Sequence, residues 1–186
     1  MKIGILTLPL HSNYGGILQA YALQKILQSL GHCAIVFNVE KKYISPRNWA
    51  LVYVKRLVKK IIKKTTCVFA EKKAFRNYML FISDFIGDQI FKMDINHLCD
   101  IDCQEFDTLI VGSDQVWRKV YFESTWRTDI SDAYLKFAEN RPIKRIAYAV
   151  SFGVDNWEYT PKQTLECSKI YLVNMRNLQT QSSKRI

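Results

Sequence analysis

No stretch of the 186 residues approaches the apolar run of roughly 18 that crosses a bilayer, so nothing in the sequence reads as a transmembrane span. There is no G-x-G-x-x-G turn and no G-x-x-x-x-G-K loop, which argues against the usual dinucleotide and nucleoside triphosphate cradles. The cysteines (Cys33, Cys67, Cys99, Cys103, Cys167) are odd in number and scattered, which supports no disulfide framework and suits a reducing compartment. Cys99 and Cys103, with His97 close by, lack a second ligand pair for zinc. They read as half-buried helix cysteines, and no metal is expected. The N-terminal MKIGILTLPLHSN has one lysine and no small-residue cleavage site. A buried first strand explains it better than a signal peptide, and the expected location is cytoplasmic. His11 has no assignable acid partner, so a hydrolase triad is unsupported.

Acidic residues are missing from one segment altogether. The net charge is +10, yet residues 41–70 hold Lys41, Lys42, Arg47, Lys55, Arg56, Lys59, Lys60, Lys63 and Lys64 with no acid, leaving the remainder near neutral. A nucleic-acid partner would have to rest on that segment alone, and it lacks interleaved aromatics for stacking bases; none is expected. In LVYVKRLVKKIIKK, residues 51–64, the basic side chains fill one half of a helical wheel and Leu51, Val54, Leu57, Val58, Ile61 and Ile62 the other. One reading is a peripheral helix on anionic lipid at the inner face of a membrane. The plainer one is a helix packed on a core with a solvated basic face.

Hydrophobic residues make up 48% and charged residues 24%, the balance of a globular chain with a sizeable core. Lys2–Leu8 is almost continuously apolar, as in a strand covered on both faces of a parallel sheet. Gly15–Leu30 carries Ala20, Leu23, Leu27 and Leu30 at helical spacing, Gly31 suits a helix stop, and Ala34–Val39 is a second strand. Together they make a βαβ unit. Helical patterns cover Trp49–Lys64, Ala70–Ile86 and about Asp94–Cys103. Thr108–Val111 and Arg145–Val150 are two further strands, Tyr134–Ala138 is a short helix, and Thr160-Pro161 opens the last one. The expectation is an α/β fold with a four-stranded, mostly parallel sheet and flanking helices.

Three polar loops follow strands, where ligands bind in open α/β sheets. In LHSNYGG, Gly15 and Gly16 permit close backbone approach, and Ser12 and Asn13 can cap a helix or bond a hydroxyl. In VGSDQVW, Gly112 lets the chain turn, while Asp114 and Trp117 pair a carboxylate with an indole, an arrangement that suits sugars. The bland alternatives are a capped turn in the first and a cap with a core tryptophan in the second. SFG, Ser151–Gly153, is the third loop. Three such loops on one rim favour a shared cleft.

GILTLPLHSNYGGILQAYALQKILQSLGH, FDTLIVGSDQVW and RIAYAVSFG, in that order and spacing, resemble the polysaccharide pyruvyl transferase family from Lys2 to about Ser168. The resemblance implies a Rossmann-like domain over 1–168, one half of a two-domain, GT-B-like transferase. It implies transfer of a pyruvyl group from phosphoenolpyruvate, a donor substrate rather than a cofactor, to a sugar hydroxyl of a cell-surface polysaccharide, lipid-linked precursors included. Asp114 would bind the acceptor and act as base. Ser12, Asn13, Tyr14, Gly15 and Gly16 would contact substrate from the first loop, Gly112, Ser113, Gln115 and Trp117 from the second, and Ser151, Phe152 and Gly153 from the third. Two departures stand out. Members carry a second domain whose arginines and histidines hold the donor, and they often have Asn-Pro where this chain has Arg118-Lys119. The tail 169–186 is atypical, and the chain is expected to be a truncated or frameshifted product that is inactive alone and prone to self-association. A non-catalytic glycan-binding remnant and half of a nucleotide-sugar glycosyltransferase are the alternatives.

Overall fold

A computed structural model describes residues 1–10, 13–39, 76–87, 89–93, 98 and 101–170. Ser12, the basic segment 51–64, Cys67, Cys99, most of the Asp94–Cys103 helical pattern and the tail 171–186 lie outside the described residues.

The apolar KIGIL run forms β1 (Lys2–Leu6). Helix α1 (Tyr14–Ser29) follows and turns Ile17, Ala20 and Leu23 inward. Leu27 is half-buried, while Leu30, expected on the same stripe, is the C-cap residue and stays 65% exposed. Gly31 then takes φ 81, the left-handed backbone that stops a helix at little cost for glycine. The chain returns as β2 (Cys33–Val39), and after a helical segment over 76–86 it enters β3 (Ile90–Met93). Next come β4 (Thr108–Asp114), helix α2 (Lys119–Trp126), short turns of 3-10 helix at Ile130–Tyr134 and Lys136–Ala138, and β5 (Lys144–Val150). A helix over 161–170 follows.

Among the described residues the sheet has five strands, ordered β3-β2-β1-β4-β5, and every pairing is parallel. The four-strand expectation missed β3. Its four residues, IFKM, carry too little pattern alone; pairing with β2, from Val36 opposite Ile90 to Val39 opposite Met93, makes them a strand.

Alternation along the strands divides two cores. Ile3 and Ile5 of β1, with Val36 and Ile110, pack against Ile17, Ala20 and Leu23 of α1 and against Ile82 and Ile86. Leu6, Phe37, Leu109 and Val111 face the other way, onto Phe106, Phe122, Trp126 and Ile130. Each such buried side chain contributes about 1.5–3 kcal/mol. Trp126 keeps its polar group satisfied by donating Nε1–H to the Thr7 carbonyl at 3.1 Å. β1 sits where the strand order reverses: its loop leads one way to β2, while β4 lies on its other side. In doubly wound sheets that reversal opens a crevice at the carboxyl ends of the two strands.

Candidate functional site

The crevice between β1 and β4 gathers three loops. Asn13 is the N-cap of α1, and its Oδ1 accepts from the Gly15 N–H at 3.0 Å. That bond turns the amide nitrogen outward, and Nδ2 donates to Oδ2 of Asp114 at 3.2 Å. Asp114 ends β4 with φ 69, a left-handed conformation that aspartate tolerates better than most residues. Its backbone carbonyl accepts from the Ser151 N–H at 2.9 Å. One residue therefore ties the β1 loop through its side chain and the β5 loop through its backbone.

Glycine at 112 is required by the fold. Its φ is 133, and a Cβ there would collide with the Tyr148 carbonyl of the neighbouring strand. The Gly112–Ser113 peptide is cis, and Ser113 is buried. Gly153, at φ 65, lies where a Cβ would overlap the Gln115 side chain, so the second and third loops are in direct contact. Gly15 and Gly16 differ. Among the described residues a Cβ at either would meet the Asn13 side chain alone, at 3.4 and 3.5 Å, an ordinary contact. Packing within the chain does not demand glycine there, although glycine weakens a helix by up to about 1 kcal/mol relative to alanine. Among the described residues nothing but Asn13 stands against this first turn.

The other expected residues go elsewhere. Tyr14 turns to Tyr78, ring centroids 4.0 Å apart, on the α1 side of the sheet. Trp117 does not stand as a bare platform beside the carboxylate. Its ring lies on Tyr134 at 4.5 Å and 7°, Phe152 is 5.6 Å away, and Nε1 donates to the Ala133 carbonyl at 3.1 Å. Asn13, Asp114, Gln115, Ser151 and Gly153 are thus brought together, while Tyr14 is drawn away and Trp117 is absorbed into an aromatic cluster.

Sequence reasoning passed over the partners of that cluster. Trp157 and Tyr159 pack on Phe152 at 5.1 and 5.8 Å and on each other at 4.7 Å. Arg118 reaches Glu158 at 3.6 Å, donates to Gln115 Oε1 at 3.3 Å and lies over the Tyr121 ring. Glu158 also accepts from the Val120 N–H in the first turn of α2. The signal was present in DNWEYTP, an aromatic-acid-aromatic run that, like Trp117, follows soon after a strand end. Burial pushes the Tyr134 hydroxyl and the Cys167 thiol up to about 12 each, so both are neutral near pH 7.

The site offers a partly exposed carboxylate held by an amide, an open helix turn and a neutral aromatic flank. A carboxylate can accept a hydroxyl proton; an arginine already engaged with a glutamate is poorly placed to hold a phosphate. Among the described residues no group of acids, histidines and cysteines could hold a metal ion, and no helix is long and apolar enough to cross a membrane. A family model described as polysaccharide pyruvyl transferase matches residues 13–179. No curated protein and no solved structure matches the chain.

Proposed function

The chain belongs to the polysaccharide pyruvyl transferase family, and from that premise we propose that it serves pyruvyl transfer from phosphoenolpyruvate to a sugar of a cell-surface polysaccharide or its precursor. In that reaction the bond from C2 of the donor to the phosphate oxygen breaks. Two sugar hydroxyl oxygens bond to C2, one hydroxyl proton converts the methylene to a methyl, and the other leaves with phosphate. The chemistry needs a base beside the acceptor hydroxyl and cations beside the donor.

The Asn13–Asp114 contact at the strand-order reversal is the observation that supports the acceptor half of this scheme. Asp114 is the proposed base. Asn13 engages Oδ2, and Oδ1 is the atom assigned to take the hydroxyl proton. The open turn at Gly15 and Gly16 admits the sugar, and Ser151 and Gln115 complete the rim. Arg118 is taken up by Glu158 and Gln115, so the donor's charges are assigned to the second domain that the family resemblance implies.

The test incubates the chain with phosphoenolpyruvate and a glycan panel, with and without the second domain of a family member supplied separately. Expected is glycan-dependent phosphate release and a ketal-bearing product when both halves are present, lost in Asp114→Asn. Phosphate release by Asp114→Asn at the wild-type rate would overturn the assignment. Release of a nucleoside diphosphate from a nucleotide sugar would replace it with glycosyl transfer.

A further inference from the structure

Beyond the crevice, the β4–α2 loop, residues 152–159 and the helix over 161–170 border an open cavity of about 390 Å³. Its size falls within the roughly 300–1,000 Å³ of small-molecule sites. Trp157, Tyr134, Tyr159, Thr164, Cys167 and Ser168 are among its walls.

The hydrogen bonds around it run one way. The Tyr159 hydroxyl donates to the Trp117 carbonyl at 2.5 Å, because a carbonyl can only accept. With that hydrogen spent, the 3.3 Å contact between the two tyrosine hydroxyls has Tyr134 as donor. Thr164 Oγ1 donates to the Thr160 carbonyl at 3.0 Å, and Ser168 Oγ donates to the Thr164 carbonyl at 2.7 Å. The hydroxyls of Tyr134, Thr164 and Ser168 have therefore committed their hydrogens and can meet a ligand only as acceptors, Thr164 Oγ1 with one lone pair already taken by the Trp157 N–H.

Trp157 is 56% exposed, yet it is not loose. Its Nε1–H is fixed on Thr164 Oγ1 at 2.9 Å, and Phe152 and Tyr159 brace the ring. The described lining carries no charged side chain. Among the described lining residues an anion would meet acceptors and ring faces, and a quaternary ammonium would bring no donor to hydroxyls that can only accept. A neutral pyranose fits both demands: its C–H face lies on an indole and its hydroxyls donate.

We propose that this cavity is a subsite for a neutral pyranose unit, stacked on Trp157 and donating hydroxyls to Tyr134, Thr164 and Ser168. The proposed function enters only in identifying that unit as part of the acceptor glycan.

Tryptophan fluorescence and calorimetry on the full chain, titrated with maltose, lactose, inorganic phosphate and tetramethylammonium, test it. Expected is saturable binding of at least one disaccharide, with no response to phosphate. Trp157→Ala should weaken binding at least tenfold. Ser168→Ala, which removes one acceptor and leaves Trp157 anchored on Thr164, should weaken it several-fold with little change in unfolding temperature. Wild-type affinity in both variants, no disaccharide binding at millimolar concentration, or saturation by tetramethylammonium would each overturn the subsite. Disaccharide binding without any pyruvyl transfer would strike the proposed function and leave the subsite standing.

Discussion

Asn13 and Asp114 lie 101 positions apart in the chain, and a single 3.2 Å hydrogen bond joins their side chains beyond the ends of the neighbouring strands β1 and β4. The same asparagine caps α1, so the start of that helix and the carboxylate at the end of β4 are held by one residue. Removing either function of Asn13 should be separable from removing both.

Asn13→Ala loses the cap and the contact together. The expected penalty is about 1 kcal/mol, or an unfolding temperature lower by roughly 2–4 °C for a domain of this size. Asn13→Asp keeps an acceptor for the Gly15 N–H but sets a second carboxylate against Asp114. It should be less stable than wild type at low salt, with the difference shrinking as salt screens the two charges. Thermal unfolding across salt concentrations distinguishes the two variants; identical salt dependences would count against the contact.

The glycines should divide sharply. Gly112→Ala meets both a prohibited φ and the Tyr148 carbonyl, and a loss of about 4 kcal/mol or failure to fold is expected. Gly16→Ala should instead stabilise by up to about 1 kcal/mol while lowering transfer in the two-part assay at least tenfold, because its methyl enters the open space. A Gly16→Ala protein of full activity would remove the first loop from the site.

Two neighbouring aspartates should respond to pH with opposite signs. Burial opposes ionisation of Asp129, but bonds from Ser131 and Gln163 and the charge of Lys136 outweigh it, so its carboxyl sits below the ordinary value of 3.8. Its stabilisation is complete above 3.8 and is lost as pH falls through the depressed value; Asp129→Asn should be destabilised at pH 7 and match wild type in strong acid. Burial holds Asp132 above 3.8 despite the Thr128 hydroxyl that donates to it. Ionised Asp132 therefore weakens the fold at neutral pH, and Asp132→Asn should be more stable there, its advantage fading as pH falls toward 3.8. Unfolding temperatures measured from pH 3 to 8 check both signs.

Cysteine labelling should follow burial. Cys33 is exposed, whereas Cys103 and Cys167 are buried. Burial raises the thiol of each, that of Cys167 to about 12. Iodoacetamide at pH 8, read by peptide mass spectrometry, should modify Cys33 well before either. Prior labelling of Cys167 would show that the helix over 161–170 opens readily.

The three loops were legible because glycine and short polar residues after apolar runs are local signals. Asn13, Asp114 and Ser151 do meet, as expected of a shared rim. The β3 strand was not legible, since IFKM becomes a strand only against β2. Trp117 and Trp157 could not be told apart, each following a strand end by a few residues. Tyr134 covers the first, while the second keeps more than half its surface in solvent.

The amino-acid sequence alone determined an α/β chain with polar loops after its strands, because hydrophobic period and turn chemistry act over a few neighbouring residues. The tertiary structure alone decided that β1 lies between β2 and β4, that Asn13 reaches Asp114, and that Trp157 is the exposed indole among the described tryptophans. Those outcomes depend on strand order and on which helix covers which face. They are set by burial summed over residues distant in the chain, and no local pattern records that sum.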